Sequence, residues 1–174
     1  MYRALAALIA MSTLVVPVAG AAEAPASVES AIDAVGECAG RTRSTWESQL
    51  FAALNAERAS AGQPALERDA CAEHVAGLRT DDLASRGYFS HTSPEGATAA
   101  SLLEEVGRGG VASAENLARN NYPDGESVTV AVESLMASDG HRRAILHDRY
   151  THGGVASALG EDGMRYYVMV FLAS

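Results

Sequence analysis

The chain has 174 residues and a formal net charge of −9, and all 13 of its basic residues are arginine. An acidic chain without a basic run cannot neutralise a row of phosphates, so we expect no nucleic-acid partner and no electrostatic adhesion to anionic lipid. Its apolar content of 48% is ordinary for a globular protein, so a folded domain is expected rather than disorder.

The N-terminus has the composition of a secretory signal peptide. Arg3 precedes an apolar stretch over residues 4–16, Pro17 ends that stretch, and the small residues 19–21 form the pattern that a signal peptidase cleaves. An uncleaved membrane anchor is the alternative, but polar and helix-breaking residues interrupt the run of about 20 apolar residues that a spanning helix needs. A cleaved signal is therefore favoured, with no stable membrane anchor afterwards.

This interpretation divides the chain into three segments. Residues 1–21 are the predicted signal peptide, residues 22–43 a flexible leader rich in Ala, Glu and Ser, and residues 44–174 one folded domain. We expect the protein to be exported, either to a periplasm or into the medium.

Helix signals dominate the first half of the domain. Ser44 with Glu47 predicts a capping box, and apolar residues at helical spacing follow until Gly62. Asp69 is the predicted N-cap of a second helix, which carries Ala72, Val75, Ala76, Arg79 and Leu83 at helical spacing and ends at Gly87.

A short third helix is predicted from about Thr98 to Val106. Residues 127–138 begin with strand-like alternation, but Val128, Val132 and Leu135 also fit a helix, which is the prediction here.

The end of the chain predicts a β-hairpin, with strands over residues 155–159 and 164–172 around a glycine-rich turn. Both faces of the second strand are apolar, so the sheet is expected to be covered by helices on both sides. Helices followed by an antiparallel hairpin indicate an α+β fold.

Cys38 and Cys71 are the only cysteines of the chain. In an oxidising compartment an isolated pair most simply forms one disulfide. Two unpaired thiols or a metal-binding pair are the alternatives.

Two histidines and one carboxylate lie in unusual local contexts. His91 lies in a turn-rich loop, His141 follows Gly140, and Glu115 lies between them in an otherwise apolar segment. Two imidazoles and a carboxylate can bind a divalent metal or provide a base and an orienting group. The chain has no HExxH, paired CxxC, Walker or GxSxG motif, and each of the three residues also has a plain structural interpretation, such as a loop histidine that caps a turn.

Several segments, in this order along the chain, resemble the bacterial branch of the CAP superfamily (cysteine-rich secretory, antigen 5 and pathogenesis-related 1 proteins), also called the SCP domain. The resemblance runs from about Leu54 to Phe171. It rests on Leu-Asn-Ala-Glu-Arg at 54–58, Tyr-Phe-Ser-His-Thr-Ser-Pro-Glu-Gly at 88–96, Ala-Glu-Asn-Leu-Ala at 114–118, Ser-Asp-Gly-His-Arg at 138–142 and Tyr-Tyr-Val-Met-Val-Phe at 166–171.

The resemblance implies an α-β-α sandwich with a small antiparallel sheet between helical layers, and a surface cleft where histidines and acidic residues converge. By motif, His91, Glu115 and His141 match cleft positions, and the two histidines are expected to hold zinc or another divalent cation. A small lipid-like or cell-envelope ligand is the expected partner. Asn55 and Arg58 match positions that are expected to anchor loops against the first helix.

The chain departs from the pattern of the family at three places. Ala114 replaces the usual glycine, Leu135 stands where bacterial relatives commonly carry tryptophan, and the second cleft carboxylate has no clear counterpart. Glu133 is carried as a candidate for that carboxylate, with a side chain that can point into or away from the cleft.

The sequence supports two functions from different classes. The favoured one is a non-enzymatic binding or effector domain whose cleft holds a divalent metal or a small apolar ligand. The alternative is a metal-dependent hydrolase, a peptidase or esterase, with Glu115 as the general base. A catalytic metal usually has three protein ligands, and only two histidines are in place here.

Overall fold

The computed structural model describes Cys38 and residues 42–173. The predicted signal peptide and most of the predicted leader lie outside the described residues, so both stay predictions. Within the described part, no helix is long and apolar enough to cross a membrane.

Five helices and four strands make up the described chain. In order they are α1 (Thr45–Ser60), β1 (Glu67–Arg68), α2 (Ala70–Arg86), α3 (Ala99–Glu105), β2 (Ser113–Asn120), α4 (Ser127–Ala137), α5 (Asp139–Leu146), β3 (Tyr150–Leu159) and β4 (Arg165–Ala173). The four predicted helices and the C-terminal hairpin are confirmed.

The predicted capping residues begin and end the first helices. The backbone amide of Glu47 donates to Ser44 Oγ at 3.2 Å, and the amide of Ser44 donates to Glu47 Oε2 at 2.8 Å, which is the reciprocal capping box. Asp69 Oδ1 accepts from the amide of Ala72 at 2.9 Å at the start of α2. That helix ends at Gly87, whose φ of 66° is a left-handed conformation that glycine adopts without strain.

The four strands form one mixed sheet in the order β1-β3-β4-β2. The hairpin pair β3–β4 and the pair β2–β4 are antiparallel, whereas the two-residue β1 runs parallel to β3. This places β4 in the middle of the sheet and β2 at one edge. The edge strand β2 carries Glu115, so it is the strand that positions the predicted cleft residues.

Helices cover both faces of the sheet, as the apolar faces of β4 predict. On one face, Tyr167, Met169 and Phe171 pack in a core with residues of α1, α4 and α5, which we call the α1 face. On the other, Tyr166 and Val168 pack with residues of α2 and α3, which we call the α2 face. The α-β-α arrangement is therefore confirmed.

The α2 face is packed backbone against backbone. A Cβ atom added to Gly154 of β3 would lie 2.1 Å from the backbone nitrogen of Glu73 on α2, so no larger residue fits there. The neighbouring Gly153 points to the opposite face, where an added Cβ would lie 3.0 Å from the carbonyl oxygen of Val170. Gly154 thus allows the close approach of α2 to the sheet.

The start of the described chain is tied to α2 by a covalent and an ionic link. The predicted disulfide between Cys38 and Cys71 is confirmed, with the two Cα atoms 4.9 Å apart and a sequence separation of 33. A loop of this length gives a stabilisation of about 3–4 kcal/mol in the chain-entropy description. Two residues after Cys71, the buried carboxylate of Glu73 accepts hydrogen bonds from Arg43 and Arg68, each at 2.7 Å.

Asn55 and Arg58 anchor loops against α1, as expected. The side chain of Asn55 exchanges two hydrogen bonds with the backbone of Leu66, at 3.1 and 2.8 Å. The guanidinium of Arg58 is fully buried and donates only to backbone carbonyls, those of Pro64, Ile145, His147 and Tyr150.

Candidate functional site

The candidate site is built on the edge strand β2, where two consecutive residues point to opposite faces of the sheet. Glu115 points to the α2 face and contacts His91. Asn116 is buried on the α1 face, and its Nδ2 donates to the carbonyl oxygen of His141 at 3.1 Å. The Glu-Asn pair therefore fastens both histidine-bearing segments to one edge of the sheet.

A chain of charged groups fixes the position of His91. The guanidinium Nε of Arg79 donates to Glu115 Oε1 at 3.0 Å, and His91 Nδ1 lies 2.7 Å from Glu115 Oε2. Arg79 is 1% exposed and Glu115 is 7% exposed, whereas His91 is 58% exposed. The ring of His91 thus reaches solvent while a buried ion pair holds its inner edge.

The direction of this contact leaves one ring nitrogen of His91 free. Ionised carboxylate oxygens only accept hydrogen bonds, so His91 Nδ1 is the donor to Glu115. In the neutral imidazole, Nε2 then carries the lone pair and faces away from the ion pair. A histidine that donates one nitrogen to a carboxylate and presents the other is the usual arrangement of a metal-ligating histidine.

Arg79 also holds the loop that carries His91. Its Nη2 donates to the carbonyl oxygen of Ser90 at 2.7 Å, and its Nη1 donates to the hydroxyl of Tyr88 at 2.8 Å. The Tyr88 hydroxyl in turn donates to Asp82 on α2. Burial lowers the pKa of Arg79, but the charge and hydrogen bond of Glu115 outweigh it and raise that pKa overall.

Further along the same loop, Ser93 and Glu95 close the turn. The Ser93 hydroxyl accepts from the amides of Glu95 and Ala97, at 3.2 and 3.0 Å. Glu95 forms a two-pronged ion pair with Arg86, and this contact lowers the pKa of Glu95 to about 2. The loop is therefore tied to α2 at both ends.

His141 lies on α5 and is partly buried. Burial lowers its pKa, and the nearby charge of His91 lowers it further. A lowered pKa favours the neutral imidazole of His141, which is the form that binds metals.

A cavity of about 360 Å³ opens beside His141 along the edge strand, and we call it the edge cavity. Its wall consists of the following residues: Phe89, Leu117, Ala118, Arg119, Asn120, Tyr122, Val130, Ala131, Ser134, Leu135 and His141. A second cavity, of about 340 Å³, lies beside His91 and Glu115 and extends to Thr98.

The structure brings His91, Glu115 and His141 to one edge of the sheet but does not bring Glu133 there. Glu133 is exposed on α4 and lines neither cavity. The physical reason is helical spacing, because Val130, Ser134 and their neighbours form the stripe that faces the edge cavity, and Glu133 lies off that stripe.

Three residues that hold the site were not predicted for it from the sequence: Arg79, Tyr88 and Asn116. The sequence contained a signal for Arg79, because this residue lies on the apolar stripe of α2. A cation that is buried there needs a buried partner. Asn116 was visible only as the neighbour of Glu115. The role of Tyr88 depends on tertiary contacts that no local pattern encodes.

Two histidines of this site are the candidate ligands for a cation. Among residues 42–173 and Cys38, no group of three or more His, Cys, Asp or Glu side chains is arranged to hold a metal ion. His91 Nε2 and His141 are the nitrogens that would contact a cation, and Glu115 would act behind His91 rather than as a ligand. Solvent would have to complete the coordination, which is typical of weak binding.

Comparison with known proteins decides the family. The model of the cysteine-rich secretory protein family, CAP, matches residues 51–171, which span all of β2, the His91 loop and α5. The chain belongs to the CAP family. This confirms the resemblance given by the motifs, and the fold agrees with it.

Among curated proteins, this CAP domain is 35% identical over 132 residues to a protein of Bacillus subtilis described as the uncharacterized membrane protein YlbC. It is 30% identical over 112 residues to YkwD of the same species. The matches cover 76% and 64% of this chain but only 36% and 42% of those relatives. The chain therefore spans well under half the length of the curated relatives it matches.

Among solved structures, an extracellular protein containing an SCP domain from Bacillus anthracis superposes with a TM-score of 0.64 at 26% identity, covering 74% of this chain and 40% of the other. An outer surface protein from Borrelia burgdorferi gives a TM-score of 0.66 at 19% identity, covering 78% of this chain and 98% of the other. At that lower identity the likeness shows the fold alone.

Proposed function

We propose that this CAP domain is an exported, non-enzymatic binding domain. Its cleft holds a divalent cation such as zinc between His91 and His141, and the adjoining edge cavity holds a small apolar ligand. The observation that carries the proposal is the contact of His91 Nδ1 with Glu115 Oε2 at 2.7 Å, backed by the buried Arg79.

The cation site is supported by the state of both imidazoles. Glu115 orients the ring of His91 and leaves its Nε2 for a ligand, while burial lowers the pKa of His141 and so favours its neutral form. Both rings belong to segments that are fastened to β2 in the free chain. Preassembly reduces the conformational entropy that binding would otherwise cost.

The arrangement of Glu115 favours binding over hydrolysis. Its two oxygens accept hydrogen bonds from Arg79 and from His91, so the carboxylate is engaged in positioning the ring of His91. Two histidine ligands also fall short of the three that usually hold a catalytic metal. The hydrolase interpretation would need metal-dependent cleavage of peptides or esters that disappears in Glu115→Gln.

Export is supported by three independent features. The N-terminal sequence resembles a signal peptide, the described chain contains a disulfide, and a structural relative from Bacillus anthracis is described as extracellular.

The direct test of the cation site is calorimetric titration of zinc into the purified chain. We expect weak binding with one ion per chain in the wild type, and loss of that binding in His91→Ala and in His141→Ala. The matched control is His147→Ala, because His147 is an exposed histidine of the same domain that lines neither cavity. Equal affinity in all four proteins would remove the proposed cation site.

A further inference from the structure

We propose that the outer edge of strand β2 binds an extended polypeptide segment, which adds to the sheet as one more strand and places an acidic side chain on Arg119. The inference rests on the proposed binding function, because an apolar side chain of this segment is then the ligand of the edge cavity. It adds the class of partner, a polypeptide with an exposed extended segment that presents its backbone to a sheet edge.

The register of the sheet shows which backbone groups of β2 face outward. The amide of Ala173 donates to the carbonyl oxygen of Ala112 at 2.9 Å, so these two residues form a hydrogen-bonded antiparallel pair. Such pairs alternate along the ladder, and every second residue after Ala112 therefore turns its N–H and C=O groups towards β4. The residues between them turn these groups outward: Ser113, Glu115, Leu117 and Arg119. Among the described strands, β2 pairs with β4 alone, so this edge presents donors and acceptors in alternation over about 20 Å.

The edge of β2 lies in a groove rather than on an open side of the domain. Leu117 is 5% exposed and Ala118 is 9% exposed, although both belong to an edge strand. The second cavity lies along residues 113–115 and the edge cavity along residues 117–120, so the two cavities follow the strand one after the other. A single extended segment can enter such a groove, whereas the edge strand of a second copy would bring its own flanking helices with it.

Two exposed aromatic side chains border the groove beside the edge cavity. Phe89 is 43% exposed and Tyr122 is 51% exposed, and both line the cavity. They are two of only four large hydrophobic side chains exposed among the described residues. Covering these rings with a bound segment would remove apolar surface from water, which favours binding.

The alternation of side chains along a strand gives the chemistry of the segment. We expect the segment to run antiparallel to β2, since antiparallel pairing is slightly more stable per residue. A residue of the segment opposite Ala118 then points to the α1 face, where Ala131 and Leu135 of α4 form an apolar wall of the edge cavity. The residue before it in the segment lies opposite Arg119, on the other face. An apolar side chain is therefore expected at the first of these positions, and the charge of Arg119 decides the second.

The charge of the groove at Arg119 favours an acidic side chain in the segment. The chain has 22 acidic residues against 13 basic ones, yet the wall of the edge cavity contains no Asp or Glu and one arginine, Arg119. Among the described residues, the side chain of Arg119 forms one hydrogen bond, of 3.4 Å from Nη1 to the Tyr166 hydroxyl, and no ion pair. A guanidinium without an ion-pair partner is suited to a carboxylate, which it can bind through two parallel hydrogen bonds.

Aromatic rings hold the guanidinium of Arg119 in place. It lies 4.9 Å from the centre of the Phe89 ring and 5.9 Å from the centre of the Tyr166 ring. The charge of Asp162 reaches Arg119, but the oxygens of Asp162 accept hydrogen bonds from the Tyr166 hydroxyl at 2.8 Å and from the amide of Met164 at 3.0 Å. Asp162 therefore weakens the positive field of Arg119 without occupying its donors.

The test is fluorescence anisotropy of the labelled peptide Ser-Thr-Glu-Leu-Thr-Val-Thr-Ser, titrated with the purified chain after treatment with a chelator. The glutamate followed by leucine in this peptide matches the expected pattern. We expect saturable binding of this peptide, and binding at least about tenfold weaker when lysine replaces the glutamate.

Methylation of the peptide backbone separates strand addition from binding by side chains alone. Methyl groups on the backbone nitrogens of the glutamate and of the two threonines after it remove N–H groups that would face β2. Methyl groups on the leucine and valine nitrogens remove N–H groups that would face away from β2, and this version is the matched control. We expect the first version to bind at least about tenfold more weakly than the second.

Two variants of the protein locate the segment. Arg119→Met keeps an apolar stem but removes the charge, and we expect it to weaken binding of the glutamate peptide at least about tenfold. Arg149→Met, at an exposed arginine outside the cavity wall, is its control and should leave the affinity unchanged. Ser134→Trp adds bulk at an exposed position of the wall, so it should exclude the leucine side chain and weaken binding as well.

Three results would overturn the strand-addition site: no saturable peptide binding to the wild type, equal affinity for the two methylated versions, or equal affinity of wild type and Arg119→Met for the glutamate peptide. A chain that is dimeric in analytical ultracentrifugation and dissociates when the peptide is added would assign the edge to a second copy instead. A parallel zinc titration separates these failures from failure of the cation site. Zinc binding without peptide binding would contradict the strand-addition site alone, and peptide binding without zinc binding would contradict the cation site alone.

Discussion

Among the described residues, each face of the sheet encloses one buried arginine, and the two arginines are held by different partners. Arg58, on the α1 face, donates only to backbone carbonyls. Arg79, on the α2 face, donates to the Glu115 carboxylate as well as to Tyr88 and the Ser90 carbonyl. Both are at most 1% exposed, so burial alone does not distinguish them.

The difference in partners separates a structural role from a functional one. Burial without a counter-ion lowers the pKa of Arg58, whereas Glu115 raises the pKa of Arg79 against the effect of burial. The hydrogen bonds of Arg58 end at backbone carbonyl oxygens inside the fold. The Glu115 carboxylate that contacts Arg79 has a second oxygen, and this oxygen accepts a hydrogen bond from the exposed His91.

The largest expected effect is on packing, and it contrasts the same two faces. Gly154→Ala forces a methyl group into the backbone of α2, which cannot move aside, so we expect a loss of about 3 kcal/mol or more in unfolding free energy. Gly153→Ala places its methyl group 3.0 Å from the carbonyl oxygen of Val170 on the neighbouring strand and should cost about 1–2 kcal/mol. Urea unfolding of both variants checks the order, and equal losses would contradict the close packing of α2 on the sheet.

The second largest effect is expected for Arg58, the buried arginine of the α1 face. Arg58→Met leaves four carbonyl oxygens without their donor, so we expect a loss of about 2–4 kcal/mol in unfolding free energy. Below the unfolding transition, zinc affinity should equal that of the wild type. Reduced zinc affinity in the folded variant would mean that Arg58 on the α1 face also contributes to the cation site.

Arg79→Met should cost somewhat less, about 2–3 kcal/mol, because Glu115 keeps its hydrogen bond with His91. Arg79→Lys should recover only part of this loss, since an ammonium group cannot reach Glu115, Tyr88 and Ser90 together. Urea unfolding measures both variants. Full recovery of the unfolding free energy in Arg79→Lys would show that the positive charge alone, and not the several N–H donors of the guanidinium, holds the loop that carries His91.

The smallest expected effect concerns Glu73, the buried carboxylate of α2. Burial raises the pKa of Glu73, but hydrogen bonds and charges from Arg43 and Arg68 outweigh it and lower that pKa below its usual 4.5. A lowered pKa in the folded state stabilises the protein above pH 4.5, and this contribution is lost as the pH falls through the folded value.

The check is the unfolding midpoint between about pH 6 and pH 3 in wild type and Glu73→Gln. We expect the midpoint of the wild type to fall more steeply over this range, because glutamine has no proton to gain. Parallel curves would show that Glu73 contributes no acid sensitivity.

The sequence was sufficient for the first four helices, and the ends of α1 and α2 show why, because the Ser44–Glu47 capping box and the Gly87 terminus are encoded locally. Both faces of β4 are apolar, and this pattern also predicted that helices cover both sides of the sheet. Strand β2 and helix α5 were not predicted, since β2 mixes polar and apolar residues and α5 has only 8 residues, one of them Gly140, which disfavours a helix.

For the site, motif resemblance singled out His91, Glu115 and His141, and the fold brings them to one strand edge. The orientation of Glu133 depends on how α4 rotates against β2, so periodicity left it open. The partners of Arg79 come from 9 to 36 residues along the chain. Long-range contacts of this kind are not encoded in local patterns.

The central claim is that Arg79 positions His91, through Glu115, for a cation. The most direct measurement is the zinc affinity of Arg79→Met compared with Arg58→Met, both titrated calorimetrically at a temperature where they are folded. We expect a loss of roughly 10–100-fold in Arg79→Met and wild-type affinity in Arg58→Met. Equal zinc affinity in the two variants would contradict the claim.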